Sequence, residues 1–214
     1  MKADYYEIRL CPTCGLRYPL IEGHSFGKRC PSCLGDTRVV LKREISTKSI
    51  GGASFSPAEK PYGLSVLLDN IRSAWNVGAI FRSADGLGVS KLYLCGITPT
   101  PENESMQKTS LGAEETVAWE YSHNALKTVK TLKSKGHTLI ALEQDERAQP
   151  IGSLRGLRLQ QLVLIVGNEI TGVDPDLLDL CDHIVHIPMH GQKRSFNVEV
   201  AFAIAAYALG FQKA

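Results

Sequence analysis

Leu64-Ser-Val-Leu-Leu-Asp-Asn-Ile-Arg-Ser-Ala-Trp-Asn-Val-Gly-Ala-Ile-Phe-Arg-Ser-Ala-Asp85 changes periodicity part-way along. Leu64–Asp69 is a short apolar run that reads as a buried strand. Asn76 then stands where an N-cap belongs, ahead of Val77, Ile80, Phe81, Ala84 and Leu87 at helical spacing. The alternation continues downstream. Lys91–Cys95 reads as a strand, Ser122–Gly136 as a helix ending at glycine, and His137–Leu142 as a further strand. Gln161–Val166 and His183–Ile187 are two more strands; Pro175–Cys181 and Asn197–Phe211 are helices, the former with proline near its start. Strands separated by helices predict an α/β fold with a mostly parallel sheet. Ligands of such sheets bind beyond the carboxyl ends of the strands, here at Leu142-Glu143, Gly167-Asn168-Glu169 and Pro188-Met189-His190.

Two common ligand classes are disfavoured at those ends. Gly167-Asn-Glu-Ile-Thr-Gly172 has the glycines of a phosphate loop, but Val173 follows where that loop needs lysine. No G-x-G-x-x-G follows a strand, which argues against an ordinary dinucleotide fold. The loops are instead rich in small, backbone-exposing residues, suited to a cofactor gripped through main-chain groups. By spacing alone the chain is an α/β enzyme with a cofactor at the strand ends.

Upstream the composition changes. Cys11, Cys14, Cys30 and Cys33 form two C-x2-C pairs separated by fifteen residues. Each pair aims two thiolates at one point, and the two pairs complete a tetrahedral S4 shell suited to zinc. Four protein ligands leave no open position, so the site is expected to be structural. A redox dithiol, or four unligated thiols, is the alternative. His24 reads as a surface residue, and Cys95 and Cys181 as small buried hydrophobes. Between Lys42 and Tyr62 the chain is rich in Ser, Gly, Pro and Lys without apolar periodicity. The expected organisation is therefore a zinc ribbon over 1–41, a linker over 42–61 and the α/β domain over 62–214.

The 214 residues carry a net charge of +2 and 43% hydrophobic residues, ordinary values for a globular chain. Residues 1–62 hold +4 and the remainder −2. Bound zinc with four thiolates lowers the N-terminal figure to about +2. Arg17, Lys28, Arg29, Arg38, Lys42 and Arg43 are available to phosphates, a plain solvated surface being the alternative. No apolar run approaches a membrane span, and the N-terminus lacks a signal-peptide core, so a soluble, cytoplasmic protein is expected.

Three stretches resemble a known family. Leu68–Asp85, with its Asn-x-Gly-x-x-x-Arg core at Asn76, Gly78 and Arg82, is similar to the first motif of the SpoU (TrmH-type) RNA 2′-O-ribose methyltransferases. Val166–Val173 resembles the second motif and Ile187–Val198 the third, in family order, the likeness covering residues 62–212. Phe196 departs from the usual leucine and enlarges an apolar position. The resemblance implies a SPOUT-type knot in which Gly191–Asn197 passes through a loop of the chain, an exception to ordinary topology rules. It implies S-adenosylmethionine (S-adenosyl-L-methionine) held by Leu142, Gly167, Ile187 and Phe196, a tRNA or rRNA substrate, and a homodimer whose sites draw on both chains. Its catalytic positions fall on Asn76, Arg82, Glu169, Ser195 and Asn197.

A guanidinium is not deprotonated in proteins, so Arg82 is read as gripping a phosphate and stabilising a developing alkoxide rather than as a base. Glu169, Ser195 and Asn197 are expected to orient Arg82, cofactor and ribose. Arg72, Lys193 and Arg194 are candidates for an RNA groove; His190 reads as a loop residue. The last helix is apolar nearly all round, so a second face needs a partner. A zinc-ribbon RNA-binding protein that kept the fold without catalysis is the alternative reading.

Overall fold

The computed structural model describes residues 5–21, 28–45, 63–154 and 161–210, and it divides into two compact units, Met1–Ser54 and Phe55–Ala214. In the first unit, β1 (Tyr5–Leu10) lies between β2 (Arg17–Ile21) and β3 (Arg38–Glu44) in an antiparallel sheet. The third strand runs past the ribbon boundary expected at residue 41. Lys42, Arg43 and Glu44 pair with Glu7, Tyr6 and Tyr5 instead of opening a linker. Cross-strand pairing, invisible in a run of charged residues, extends the strand. The rest of the expected linker, from residue 46, lies outside the described residues, as does His24.

The second unit is built on seven strands, each parallel to its neighbours, in the order β6-β5-β4-β9-β7-β10-β8. They are β4 (Ser65–Asp69), β5 (Lys91–Cys95), β6 (Ala118–Ser122), β7 (Thr138–Leu142), β8 (Gln149–Pro150), β9 (Leu162–Val166) and β10 (His183–His186). β4 and β9 are buried over all five residues because helices cover both faces of the sheet. Successive residues feed opposite cores. Val66 and Leu68 join Leu164 and Val166 under α1 (Ala74–Gly86) and α5 (Val198–Gly210), while Leu67 joins Val163 and Ile165 under α3 (Ala125–Ser134) and α4 (Pro175–Leu178).

Local capping corrects several sequence-based boundaries. Ser73, not Asn76, caps α1, its Oγ accepting from the Asn76 amide at 3.3 Å. α3 begins at Ala125 under an Asn124 cap, because Ser122 still belongs to β6. α4 ends at Leu178 rather than Cys181. Neither β6 nor α2 (Glu104–Ser110) was expected from sequence. α2 lies tightly on α1 where Gly78 has no side chain: a Cβ there would stand 2.0 Å from Thr109 Oγ1 and 2.2 Å from the Met106 carbonyl oxygen. Cys95 is fully buried and Cys181 half-buried, and burial pushes both thiols up to about 12.

Candidate active site

The loops that follow β7, β9 and β10 surround a cavity of about 550 Å³ at the carboxyl ends of the strands. Leu142, Gly167, Ile187 and Phe196 all line it, and so do Glu169, Ser195 and Asn197. The loop after β9 is closed by its own backbone: the Asn168 N–H donates to the Gly172 carbonyl at 3.0 Å, and the Gly172 N–H returns to the Asn168 carbonyl at 2.9 Å. Asn168 Oδ1 accepts from the amides of Ile170 and Thr171, and its Nδ2 donates to the Asn70 carbonyl at 2.6 Å. Gly167 is required by this closure, since a Cβ would lie 2.2 Å from the Gly172 carbonyl carbon. Glu143, leaving β7, accepts from the Val173 N–H at 2.9 Å and so latches two of the three loops together. Sequence reasoning placed Glu143 and Asn168 at the ligand-binding strand ends, Asn168 within the second motif, but gave neither a part in closing or latching these loops.

Glu169 reaches from this loop to the start of α1. Its carboxylate accepts from the backbone N–H groups of Arg72 at 2.9 Å and Ser73 at 3.1 Å, and from Asn76 Nδ2 at 3.0 Å. Partial burial pushes this acid up, but the donated hydrogen bonds outweigh it and hold the carboxyl below the usual glutamate value. The position is favourable for an anion, because the first amides of a helix are free donors at the positive end of its dipole. Asn76 is joined in turn to the third motif: Asn197 Nδ2 donates to Asn76 Oδ1 at 3.1 Å. Asn197 also caps α5, its Oδ1 accepting from the Glu199 N–H at 2.9 Å. One amide thus starts a helix and ties two motifs.

Ser195 sits exposed on the cavity lining. Arg82 does not join this cluster. It is exposed on α1, six residues beyond Asn76, and borders a separate groove with Lys108, Leu111 and Glu199. Glu169, Ser195 and Asn197 make no hydrogen bond to Arg82 among the described residues; Glu169 and Asn197 orient Asn76 instead. Arg194 lines the cavity, and its carbonyl accepts from Gln144 Nε2. Arg72 borders a shallow pocket with Ser73, Asn76 and Glu169, whereas Lys193 and His190 are exposed loop residues.

In the N-terminal unit the four cysteines converge, with Cys11 and Cys33 sulfurs 3.5 Å apart and those of Cys14 and Cys30 3.6 Å apart. All four sulfurs lie within 4.8 Å of one another. Each pair forms the same turn, closed by Gly15 N–H to the Cys11 carbonyl and by Leu34 N–H to the Cys30 carbonyl, both at 2.9 Å. The Cys14 amide aimed at the Cys11 sulfur pulls that thiol down to about 6. Tetrahedral zinc–thiolate bonds of 2.3 Å place sulfurs about 3.8 Å apart, so the cluster fits a small zinc ribbon.

The family model described as the SpoU rRNA Methylase family matches residues 63–207. The chain belongs to the SpoU rRNA methylase family. A relative from Aquifex aeolicus, a tRNA (guanosine(18)-2′-O)-methyltransferase, is 30% identical over 146 residues, 67% of either chain. A 23S rRNA (guanosine-2′-O-)-methyltransferase from Bordetella pertussis is 28% identical over 144 residues, which span 67% of this chain but 58% of that relative. Among solved structures, the A. aeolicus TrmH/SpoU tRNA modifying enzyme superposes with a TM-score of 0.63 at 28% identity, covering 71% of this chain and 75% of that one. An AdoMet-bound rRNA methyltransferase from Sinorhizobium meliloti, at 22% identity and TM-score 0.64, shares the fold over 72% of this chain and 60% of its own. The SpoU match begins at residue 63, so the cysteine unit is an addition to the family's core.

Proposed function

We propose that this SpoU-family chain methylates a ribose 2′-oxygen of tRNA or rRNA with S-adenosylmethionine as donor. The observation that carries the reading is the Glu169–Asn76–Asn197 hydrogen-bond chain, which joins all three motifs at the rim of a cavity of cofactor size. The named activities of the A. aeolicus and B. pertussis relatives support it. Leu142, Ile187 and Phe196 would pack against the cofactor, and the Gly167 backbone would lie beside it. When bound, S-adenosylmethionine supplies a sulfonium methyl that an attacking oxygen displaces from sulfur in line. The chain's own residues have to align that oxygen and offset its charge as the hydroxyl proton passes to solvent. Glu169 and Asn197 hold the Asn76 amide still, and Ser195 offers a hydroxyl at the cavity wall. Arg82, about 9 Å further along α1, grips a phosphate beside the target ribose and stabilises the developing alkoxide.

The remaining features belong to the same reading. β10 lies between β7 and β8, and residues 143–148 connect those two strands around it. The segment after β10 therefore leaves past that connection, where Gln144 bonds Arg194, which supports the knot. α5 leaves Val200 and Ile204 exposed, an apolar surface suited to a second copy. Arg82, outside its own chain's cavity, then serves a site drawn from both chains. Zinc in the cysteine cluster would be structural, and no described helix is long and apolar enough to cross a membrane, in keeping with a cytoplasmic enzyme.

The test is calorimetric titration with S-adenosylmethionine beside transfer of its labelled methyl to bulk tRNA and rRNA. Arg82→Ala should bind the cofactor within about twofold of wild type while methyl transfer falls by about 10²–10³. Arg82→Lys should rescue little, because an ammonium lacks the bidentate fork. A wild-type chain that neither binds the cofactor nor labels RNA would overturn the reading, and near-normal transfer by Arg82→Ala would overturn the role of Arg82.

A further inference from the structure

The SpoU core leaves the N-terminal sheet without a task, and the two faces of that sheet differ in kind. One face is closed by the chain itself. Arg9 donates from Nε to Thr37 Oγ1 at 2.8 Å and from Nη2 to the Thr37 carbonyl at 3.0 Å, and Tyr18 Oη donates to the Arg29 carbonyl at 3.0 Å. The charges on this face balance: Arg9 pairs with Glu7 at 2.5 Å, and Lys42 and Glu44 offset each other.

The opposite face is built in cross-strand rows. Leu10 is flanked by Arg17 on β2 and Arg38 on β3; Tyr6 is flanked by Ile21 and Arg43. Ile8, between Pro19 and Leu41, fills the middle row. No acidic strand residue shares this face, and its three arginines are exposed, without an ion-pair partner among the described residues. Arg38 and Arg43 are five residues apart and would point to opposite sides of a regular strand. They share a side because β3 bulges opposite Ile8 and Arg9, placing Val40 out of register. The bulge collects the positive charge.

We propose that this face binds a single-stranded segment of RNA. The charge complementarity is with phosphate, which arginine meets bidentately. The major groove of an RNA duplex is too deep and narrow for side chains to read. The apolar middle of this face, with Tyr6 and the planar guanidiniums around it, suits unpaired bases whose faces are free to stack. The site is separate from the methyl-transfer cavity and does not depend on it.

The probe is a fluorescein-labelled, unstructured RNA of about 12 nucleotides, titrated with the full zinc-loaded chain at several salt concentrations. The triple variant Arg17→Gln, Arg38→Gln, Arg43→Gln should bind at least about tenfold more weakly. Its plot of log affinity against log salt should be flatter by about 2, since three phosphate contacts each contribute about 0.7. Tyr6→Leu, which keeps apolar bulk and removes the ring, should weaken binding by about fivefold or more. Lys42→Gln, on the closed face, should change affinity by less than about twofold. Zinc content and circular dichroism confirm that each variant keeps the ribbon. A triple variant with unchanged affinity and salt slope overturns the proposal. So does one that shifts the oligomeric state in light scattering while RNA binding stays put, which would make this face a protein interface. A chain that binds the probe through these arginines yet transfers no methyl would remove the catalytic reading and leave this one standing.

Discussion

Asn76 shows how far a side chain's role is set by its surroundings. Its position before an apolar helix reads as an N-cap, yet Ser73 takes that role and leaves the Asn76 amide to bridge Glu169 and Asn197. The identities of the three residues were legible as motif members. Their mutual contacts were not, because they stand 93 and 121 residues apart in the chain. Glu169 carries a consequence for pH. Its carboxyl is held below its ordinary value by hydrogen bonds from Arg72, Ser73 and Asn76, so its contribution is complete above the unfolded-state value and lost as pH falls through the depressed one. Glu169→Gln should therefore cost about 1 kcal/mol at neutral pH, a modest figure because the group is partly exposed. The gap between the two proteins should close as pH drops from about 6 to about 3. Denaturant melts at both pH values decide it; a gap that widens in acid would count against the assignment.

At the level of elements, legibility followed apolar content. β4, β5, β7 and β9 are nearly continuous buried runs, and the sequence marks each of them within a residue or two. β6 is an edge strand with Glu120 and Tyr121 exposed, and α2 buries only Met106 and Ser110, so neither carries a periodic signal. The seam between α1 and α2 is nevertheless close, and it depends on Gly78. Alanine gains about 1 kcal/mol of helix propensity over glycine. Here that gain is outweighed, because the new methyl meets backbone at Met106 as well as a movable Thr109 hydroxyl. Gly78→Ala should destabilise the second unit by about 1–3 kcal/mol and, at about 2–4 °C per kcal/mol for a domain of this size, lower its Tm by about 2–12 °C. An unchanged or higher Tm in calorimetry would show that the helices can part freely.

The molecule as a whole is two units with different sources of stability. The seven-stranded unit has two cores of its own, one on each face of the sheet. Among its described residues the cysteine unit buries only Cys11, Cys30 and Arg9, so those residues offer no apolar core to fold on without metal. Chelating the metal, or changing Cys11 to Ser, should unfold the ribbon while the melting transition of the larger unit stays in place. Metal analysis and two-transition calorimetry check this; absence of zinc in carefully prepared protein, or loss of both transitions together, would refute it.

By itself the sequence determined the α/β alternation, the three loops that meet at the strand ends and the four-sulfur cluster, because each is written in local spacing: apolar periods of two and 3.6 residues, and paired cysteines. Only the tertiary structure decided which polar groups meet. A parallel sheet whose last strand in chain order lies between two earlier ones brings the second and third motifs to the start of α1. One extra residue in β3 moves Arg38 and Arg43 onto a common face. Neither result follows from local pattern, since strand order and register are settled by pairing between segments far apart in the chain.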